Sequence, residues 1–144
     1  LDGRFELGRV QEVRPGTDVV LFSMGGIGSS VVEAAALLEA EGISAAVVVV
    51  ASVAPWPSED ILRLVSSFPK VVTVEAHVPN GGIGAAVART IADHGARCRL
   101  LRLAVERPYR QRTGSEAFLT KMAGLSPVAV AERTRAFLCA DATT

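Results

Sequence analysis

The sequence predicts an α/β domain, with a mainly parallel sheet covered by helices on both faces and one leading edge strand. Three observations carry this prediction. Apolar, β-branched runs alternate along the chain with segments whose apolar residues recur at helical spacing, the pattern of βαβ units with right-handed crossovers. One run, AAVVVVASV from Ala45 to Val53, is apolar without alternation, as a strand buried on both faces requires. A short internal echo, GGIGSSVVEAA from Gly25 and GGIGAAVARTI from Gly81, follows a strand and opens a helix both times.

The elements follow in order. Phe5 to Val10 alternates loosely before Arg14, Pro15 and Gly16, which predicts a short edge strand and then a turn. Asp18 to Ser23 (DVVLFS) is the first central run, and Ile27, Val31, Ala34, Ala35 and Leu38 then share one helical face until Gly42 stops the helix in a left-handed conformation. Ala45 to Val53 is expected in the middle of the sheet. Pro55 and Pro57 interrupt the chain, Ser58 is placed to cap a helix, and Glu59 and Asp60 complement its dipole. Ile61, Leu62, Val65 and Phe68 form the expected buried stripe. A strand over Val71 to Val74 leads into a helix from about Gly82 to Asp93, with Ile83, Val87 and Ile91 inward. Cys98 to Leu103 carries Arg99 and Arg102 and reads as a more exposed strand to one side. Ser115 opens a short helix with Phe118, Leu119 and Met122 inward, which Gly124 ends. Ser126 and Pro127 open a last helix through Val130, Thr134, Phe137 and Leu138.

The chain of 144 residues suits one domain, with residues 3–138 ordered and 139–144 frayed, and is long enough to bury about 70% of its unfolded surface. Only 5% of residues are aromatic although 49% are hydrophobic, so the core must be built from Val, Ala, Leu and Ile. Fifteen basic and fifteen acidic residues cancel. No concentrated basic footprint for nucleic acid is present, and the cluster of Arg107, Arg110 and Arg112 reads as a solvated loop or partner contact. Cys98 and Cys139 lack metal-type spacing and read as free thiols in a reducing, cytoplasmic compartment. The longest apolar run, Ala45 to Ala51, falls well short of the ~20 residues that cross a bilayer, and nothing resembles a signal peptide. The chain begins at Leu1 without a methionine, as a processed or excised piece of something larger would.

The stretch VVTVEAHVPNGGIGAAVA, Val71 to Ala88, places polar chemistry at a strand's carboxyl end, where open α/β sheets meet ligands and partners. Each GGIG has two readings, an anion cradle at a helix start or close packing of helix on sheet. Packing is favoured, because the dinucleotide fingerprint needs a further glycine where Val31 and Val87 stand, and no Walker lysine follows. Glu75 and His77 are two apart and, on a strand, would share a face as an acid/base pair; the alternative is an interface or a hydrogen-bonded loop. With no third orienting group, no residue is assigned as catalytic. His94 fits a cation at a helix C-terminus. No serine lies in a nucleophile elbow, and neither histidine has a partner at metal-ligand spacing. Trp56, between two prolines, is a stacking platform, a contact anchor or a cap on the core.

From these residues a family resemblance follows. GTDVVLFSMGGIGSSVVEAAALLEAEGISAAVVVVASVAPW, then V-E-x-H at Val74 to His77 followed by GG-x-G, resembles the C-terminal domain of transketolase-type thiamine diphosphate enzymes. That group includes transketolase, 1-deoxyxylulose-5-phosphate synthase and the β subunits of 2-oxo acid dehydrogenases. The tail RPYRQRTGSEAFLTKMAGLSP is similar to that of the synthase and of transketolases split into two subunits, and the likeness runs from about Gly3 to Leu138. The resemblance implies a three-layer α/β/α domain with a five-stranded, mostly parallel sheet and an antiparallel leading strand. It also implies that thiamine diphosphate and Mg2+ are held by other domains, so that this domain binds no cofactor or metal itself. Its partners would be those thiamine-binding domains, in a homodimer or heterotetramer that moves two-carbon units between sugar phosphates. Glu75, His77, Asn80, Gly81, Gly82 and Gly84 are the candidates for an interface or a channel-facing role. Two departures stand out: Ala76 replaces a second acidic residue, and Pro55-Trp56-Pro57 replaces a proline, an apolar residue and a capping aspartate. A free-standing anion- or nucleotide-binding module using Gly81 to Gly84 is the alternative of another class.

Overall fold

The strand and helix signals resolve, in a computed structural model that describes residues 6–106 and 113–140, into five strands and five α-helices, with a short 3-10 turn at Gly25–Ile27 before the first helix. In chain order these are β1 (Val10–Arg14), β2 (Val19–Ser23), α1 (Gly28–Ala40), β3 (Ala45–Val50), α2 (Ser58–Ser67), β4 (Lys70–Val74), α3 (Ile83–His94), β5 (Arg99–Leu103), α4 (Glu116–Met122) and α5 (Pro127–Cys139). The sheet order is β1-β3-β2-β4-β5, with β1 antiparallel to β3 and every other pair parallel. The expected three layers and antiparallel leading strand are both present.

Strand alternation divides the core in two. Val19 and Leu21 of β2, with Val72 and Val74 of β4, face a layer made by α1 and α5 through Val31, Leu38 and Val130. Val20, Phe22, Val48 and Val71 face the opposite layer, made by α2 and α3 through Ile61, Val65, Ile83 and Val87. Every residue of β2 is buried, and β2 rather than β3 is the central strand. An uninterrupted apolar run reports burial on both faces but not lateral position, and β1 pairs with the outer edge of β3.

Other expectations are corrected locally. The leading strand lies at Val10–Arg14 rather than Phe5 to Val10, because pairing with β3 sets its position, with a register shift between Glu12 and Arg14. Ser58 is the first residue of α2, not its cap; Pro57 precedes the helix and makes no side-chain capping bond. The buried face of α2 is Asp60, Ile61, Leu64 and Val65, while Leu62 and Phe68 are partly buried against the same core. Phe118 and Met122 are each 44% exposed, against their expected inward placement, and Thr120 is buried instead. A seven-residue helix covers less than two full turns and presents little of a continuous apolar stripe, and Leu125 just beyond it is fully buried in the core.

The helix signals elsewhere behave as the sequence indicates. Gly42 after α1 and Gly124 after α4 have φ of 82° and 68°, the left-handed region that glycine enters freely. Ser115 and Ser126 cap α4 and α5, their hydroxyls accepting from the Phe118 and Ala129 amides at 3.3 and 3.4 Å. Helix α5 extends to Cys139, past the expected end of order. Phe5, the arginine cluster of Arg107, Arg110 and Arg112, and residues 141–144 lie outside the described residues.

Candidate functional site

Val71 and Thr73 of β4 point toward the α2/α3 layer, and Glu75 keeps that parity one step beyond the strand. Its side chain therefore runs beneath the start of α3. The residue is 3% exposed, and its Oε1 accepts a hydrogen bond from the Gly84 amide at 3.1 Å. A Cβ on Gly82 would overlap Glu75 Oε2, and one on Gly84 would lie 2.8 Å from both Glu75 Oε1 and Thr73 Oγ1. Glycine is thus required at both positions by close approach of a carboxylate. The unpaired amides and positive end of the α3 dipole, which would attract an anion, already face one supplied by the chain itself.

Glu75 and His77 do not form the expected pair. The strand ends at Val74; Glu75 keeps its inward parity, but the alternation does not carry on to His77, which stands exposed in the following turn. His77 Nδ1 lies 2.8 Å from the Val78 carbonyl. Because a carbonyl can only accept, Nδ1 carries the hydrogen and Nε2 is the ring's open position. The His77 carbonyl in turn accepts from the Val105 amide at 2.9 Å. Asn80 and Gly81 are exposed on the same turn, with Gly81 at a φ of 87°; Gly82 is half-buried and Gly84 buried. His94, at the end of α3 as expected, places Nδ1 3.0 Å from the Thr90 carbonyl.

Two participants were not singled out in the sequence. Arg102, read only as a charge on an outer strand, reaches back under α3, and its Nη2 donates to the Pro79 carbonyl. Its register partner on β4 is Thr73, and this cross-strand pair was the signal available once the two strands were placed side by side. Asp60, expected only to complement a helix dipole, is 8% exposed and accepts from Arg9 Nε at 2.6 Å, Arg9 Nη2 at 3.1 Å and the Val10 amide at 3.2 Å. The hydrogen bond from Arg9 holds the Asp60 carboxyl below its ordinary range against the opposing effect of burial. Ser52 completes this anchor by accepting from the Gly8 amide at 3.0 Å and donating to the Pro55 carbonyl at 2.9 Å.

At the first GGIG an exposed carboxylate, rather than a buried one, stands near the second glycine. A Cβ on Gly26 would lie 2.8 Å from Glu116 Oε1, so an α4 side chain stands against the second glycine there. The adjoining cleft, about 450 Å3, is lined by Glu33 and Glu116 as well as Lys121. Neither turn fits a diphosphate. At Gly82 the carboxylate occupies the place, and at Gly26 two carboxylates would oppose the charge.

The fold and these turns define a three-layer α/β/α domain whose glycine-rich helix starts are packed against its own carboxylates. The chain belongs to the family described as Transketolase, C-terminal domain, which matches residues 8–130. It is similar to 1-deoxy-D-xylulose-5-phosphate synthase of Heliobacterium modesticaldum, 37% identical over 135 residues that make up 94% of this chain and 21% of that protein. It is also similar to an apulose-4-phosphate transketolase subunit of Actinobacillus succinogenes, 37% identical over 101 residues, 70% of this chain and 32% of that one. Among solved structures, a split gene transketolase described as an inactive beta4 tetramer superposes with a TM-score of 0.86 at 32% identity, covering 95% of this chain and 44% of that one. A transketolase of Pichia stipitis, at 18% identity and a TM-score of 0.68, shares the fold. The chain thus spans about a fifth of the length of the synthase and about a third of the transketolase subunit. Among the described residues no helix is long and apolar enough to cross a membrane.

Proposed function

We propose that this chain is a structural and interface domain of a larger thiamine diphosphate-dependent enzyme. In this reading His77, Asn80 and Gly81 face the thiamine-binding domains or the substrate channel, while Glu75, Gly82 and Gly84 hold that turn from beneath. The complete enzyme is a cytoplasmic homodimer or heterotetramer, and it transfers a two-carbon ketol unit between sugar phosphates. Thiamine diphosphate and Mg2+ are bound by the other domains, on the same polypeptide or a separate subunit. The observation that carries the reading is the turn itself, which is exposed yet tied down at three points. Glu75 bonds the Gly84 amide, Arg102 the Pro79 carbonyl, and the Val105 amide the His77 carbonyl. Such pre-organisation lowers the entropy lost on docking, which is what a contact surface needs.

A second reading is the C-terminal domain of a 1-deoxyxylulose-5-phosphate synthase. It is supported by the Heliobacterium synthase, whose match extends over 94% of the chain against 70% for the transketolase subunit.

Both readings make the same division of labour testable. Titrated with thiamine diphosphate and Mg2+ in a calorimeter, the 144-residue chain is expected to show no binding, whereas the complete enzyme binds. Micromolar binding by the chain alone would overturn the proposal. The double variant Asn80→Asp with Ala85→Glu is expected to weaken assembly with the thiamine-binding domains in sedimentation velocity; unchanged assembly counts against the placement of the turn.

A further inference from the structure

Beside the pinned turn, a groove of about 370 Å3 runs between the β3–α2 connection and the first turns of α3. It is lined by small residues, Gly82, Ala85 and Ala86, together with Val53, Trp56 and Arg89. The aromatic wall is fixed: the Trp56 indole N–H donates to Thr90 Oγ1 at 3.1 Å, and that hydroxyl donates to the Ala86 carbonyl at 3.1 Å. Val53 is 56% exposed although it is branched and apolar. Arg89 is exposed and forms no ion pair or hydrogen bond with the described residues, and no carboxylate lines the groove. This is a half-open groove of mixed polar and apolar lining, with one positive charge that has no partner among the described residues.

We infer that this groove receives a segment of the thiamine-binding domains that carries a large apolar side chain next to an aspartate or glutamate. The inference rests on the proposed function for the existence of that partner and adds the chemistry of the contact. The apolar side chain lies on Ala85 and Ala86 against the Trp56 ring, and the carboxylate pairs with the Arg89 guanidinium. Three features favour this occupant. Small residues allow close approach of another backbone, so the contact excludes water along its length. Tryptophan and arginine are the residue types on which interface affinity concentrates when they sit in desolvated pockets. The unmatched Arg89 charge selects an acidic partner and repels a basic one. A second copy of this chain seated with the groove on its two-fold axis would bring the two Arg89 side chains together, placing like charges side by side.

The experiment uses the only tryptophan of the chain as its probe. The thiamine-binding part of the same enzyme, supplied as a separate polypeptide, is titrated into the chain while Trp56 emission and acrylamide quenching are followed. The expected result is a blue shift with loss of quenching on assembly, and an affinity about tenfold or more weaker for Arg89→Glu. Arg89 is exposed, so this variant is expected to keep the circular dichroism and melting temperature of the parent. Assembly at full affinity with unchanged Trp56 emission and no effect of Arg89→Glu would overturn the groove assignment while leaving the proposed function intact. Emission that changes with the chain's own concentration and without the partner would assign the groove to a second copy and overturn it as well. Absence of any assembly, with groove and turn variants alike indifferent, would instead overturn the proposed function.

Discussion

Replacing Glu75 with alanine tests the claim that the helix start of α3 is filled from within. The carboxylate is 3% exposed and receives the Gly84 amide at 3.1 Å. A hydrogen bond to a charged acceptor contributes about 1.5–3 kcal/mol. A partly buried anion at a helix N-terminus adds about 0.5–1 kcal/mol more. Removing a buried charge can also relieve a desolvation cost, and the balance depends on what it leaves behind. Here it leaves the donor of Gly84 without an acceptor and a space beside two glycines, so the loss dominates. Glu75→Ala is therefore expected to destabilise the fold by about 2–4 kcal/mol, or roughly 6–12 °C in melting temperature for a chain of this length. Glu75→Gln keeps the shape and one acceptor oxygen but turns an amide donor toward the helix start, and should fall between the two. Urea and thermal unfolding followed by circular dichroism give the comparison. A melting temperature for Glu75→Ala within about 2 °C of the parent, or a Gln variant as unstable as the Ala variant, would refute the reasoning.

Two further outcomes follow from the same geometry. Gly84→Ala places a Cβ 2.8 Å from Glu75 Oε1 and Thr73 Oγ1 and is expected to lower stability by more than ~2 kcal/mol. Gly28→Ala, at the equivalent place in the first turn, meets only Ser23 Oγ at 3.5 Å and Val49 at 3.9 Å, at a helical φ of −56°. It should be neutral or stabilising by up to about 1 kcal/mol, which a urea titration of both variants will show. Asp60 supplies a pH signature. Its folded carboxyl lies below its ordinary range because Arg9 hydrogen-bonds it, so its contribution is present above the unfolded value of about 4 and is lost as pH falls through the folded one. The stability difference between the parent and Asp60→Asn should be full near neutral pH and shrink below about pH 4; a constant difference across that range would exclude the linkage.

The fold class and the leading edge strand were legible in the residues, because they depend on local order, while the antiparallel sense of that strand followed from the family resemblance. Runs of β-branched residues, glycines after helices and serines before them act within a few residues of where they stand. The stretch from Val71 to Ala88 leaves the sheet at the carboxyl end of β4, as its strand and glycine signals indicate. What each of its residues does was not legible. The spacing of Glu75 and His77 suggested a shared face, but whether a strand continues through both is decided by its neighbours, and β4 stops at Val74. The GGIG motif states that something approaches the backbone closely; only the packing of Glu75 beneath α3, and of Glu116 from α4 against Gly26, identifies it as a carboxylate of the chain itself. Arg102 reaching Pro79 and Asp60 holding Arg9 join residues 23 and 51 positions apart. Contacts at that separation are set by strand order and crossover, not by the residues between. The sequence by itself thus determined the order and type of the elements and the buried faces of α1 and α3. The tertiary structure decided which polar groups meet, since that depends on distances between elements that no local pattern encodes.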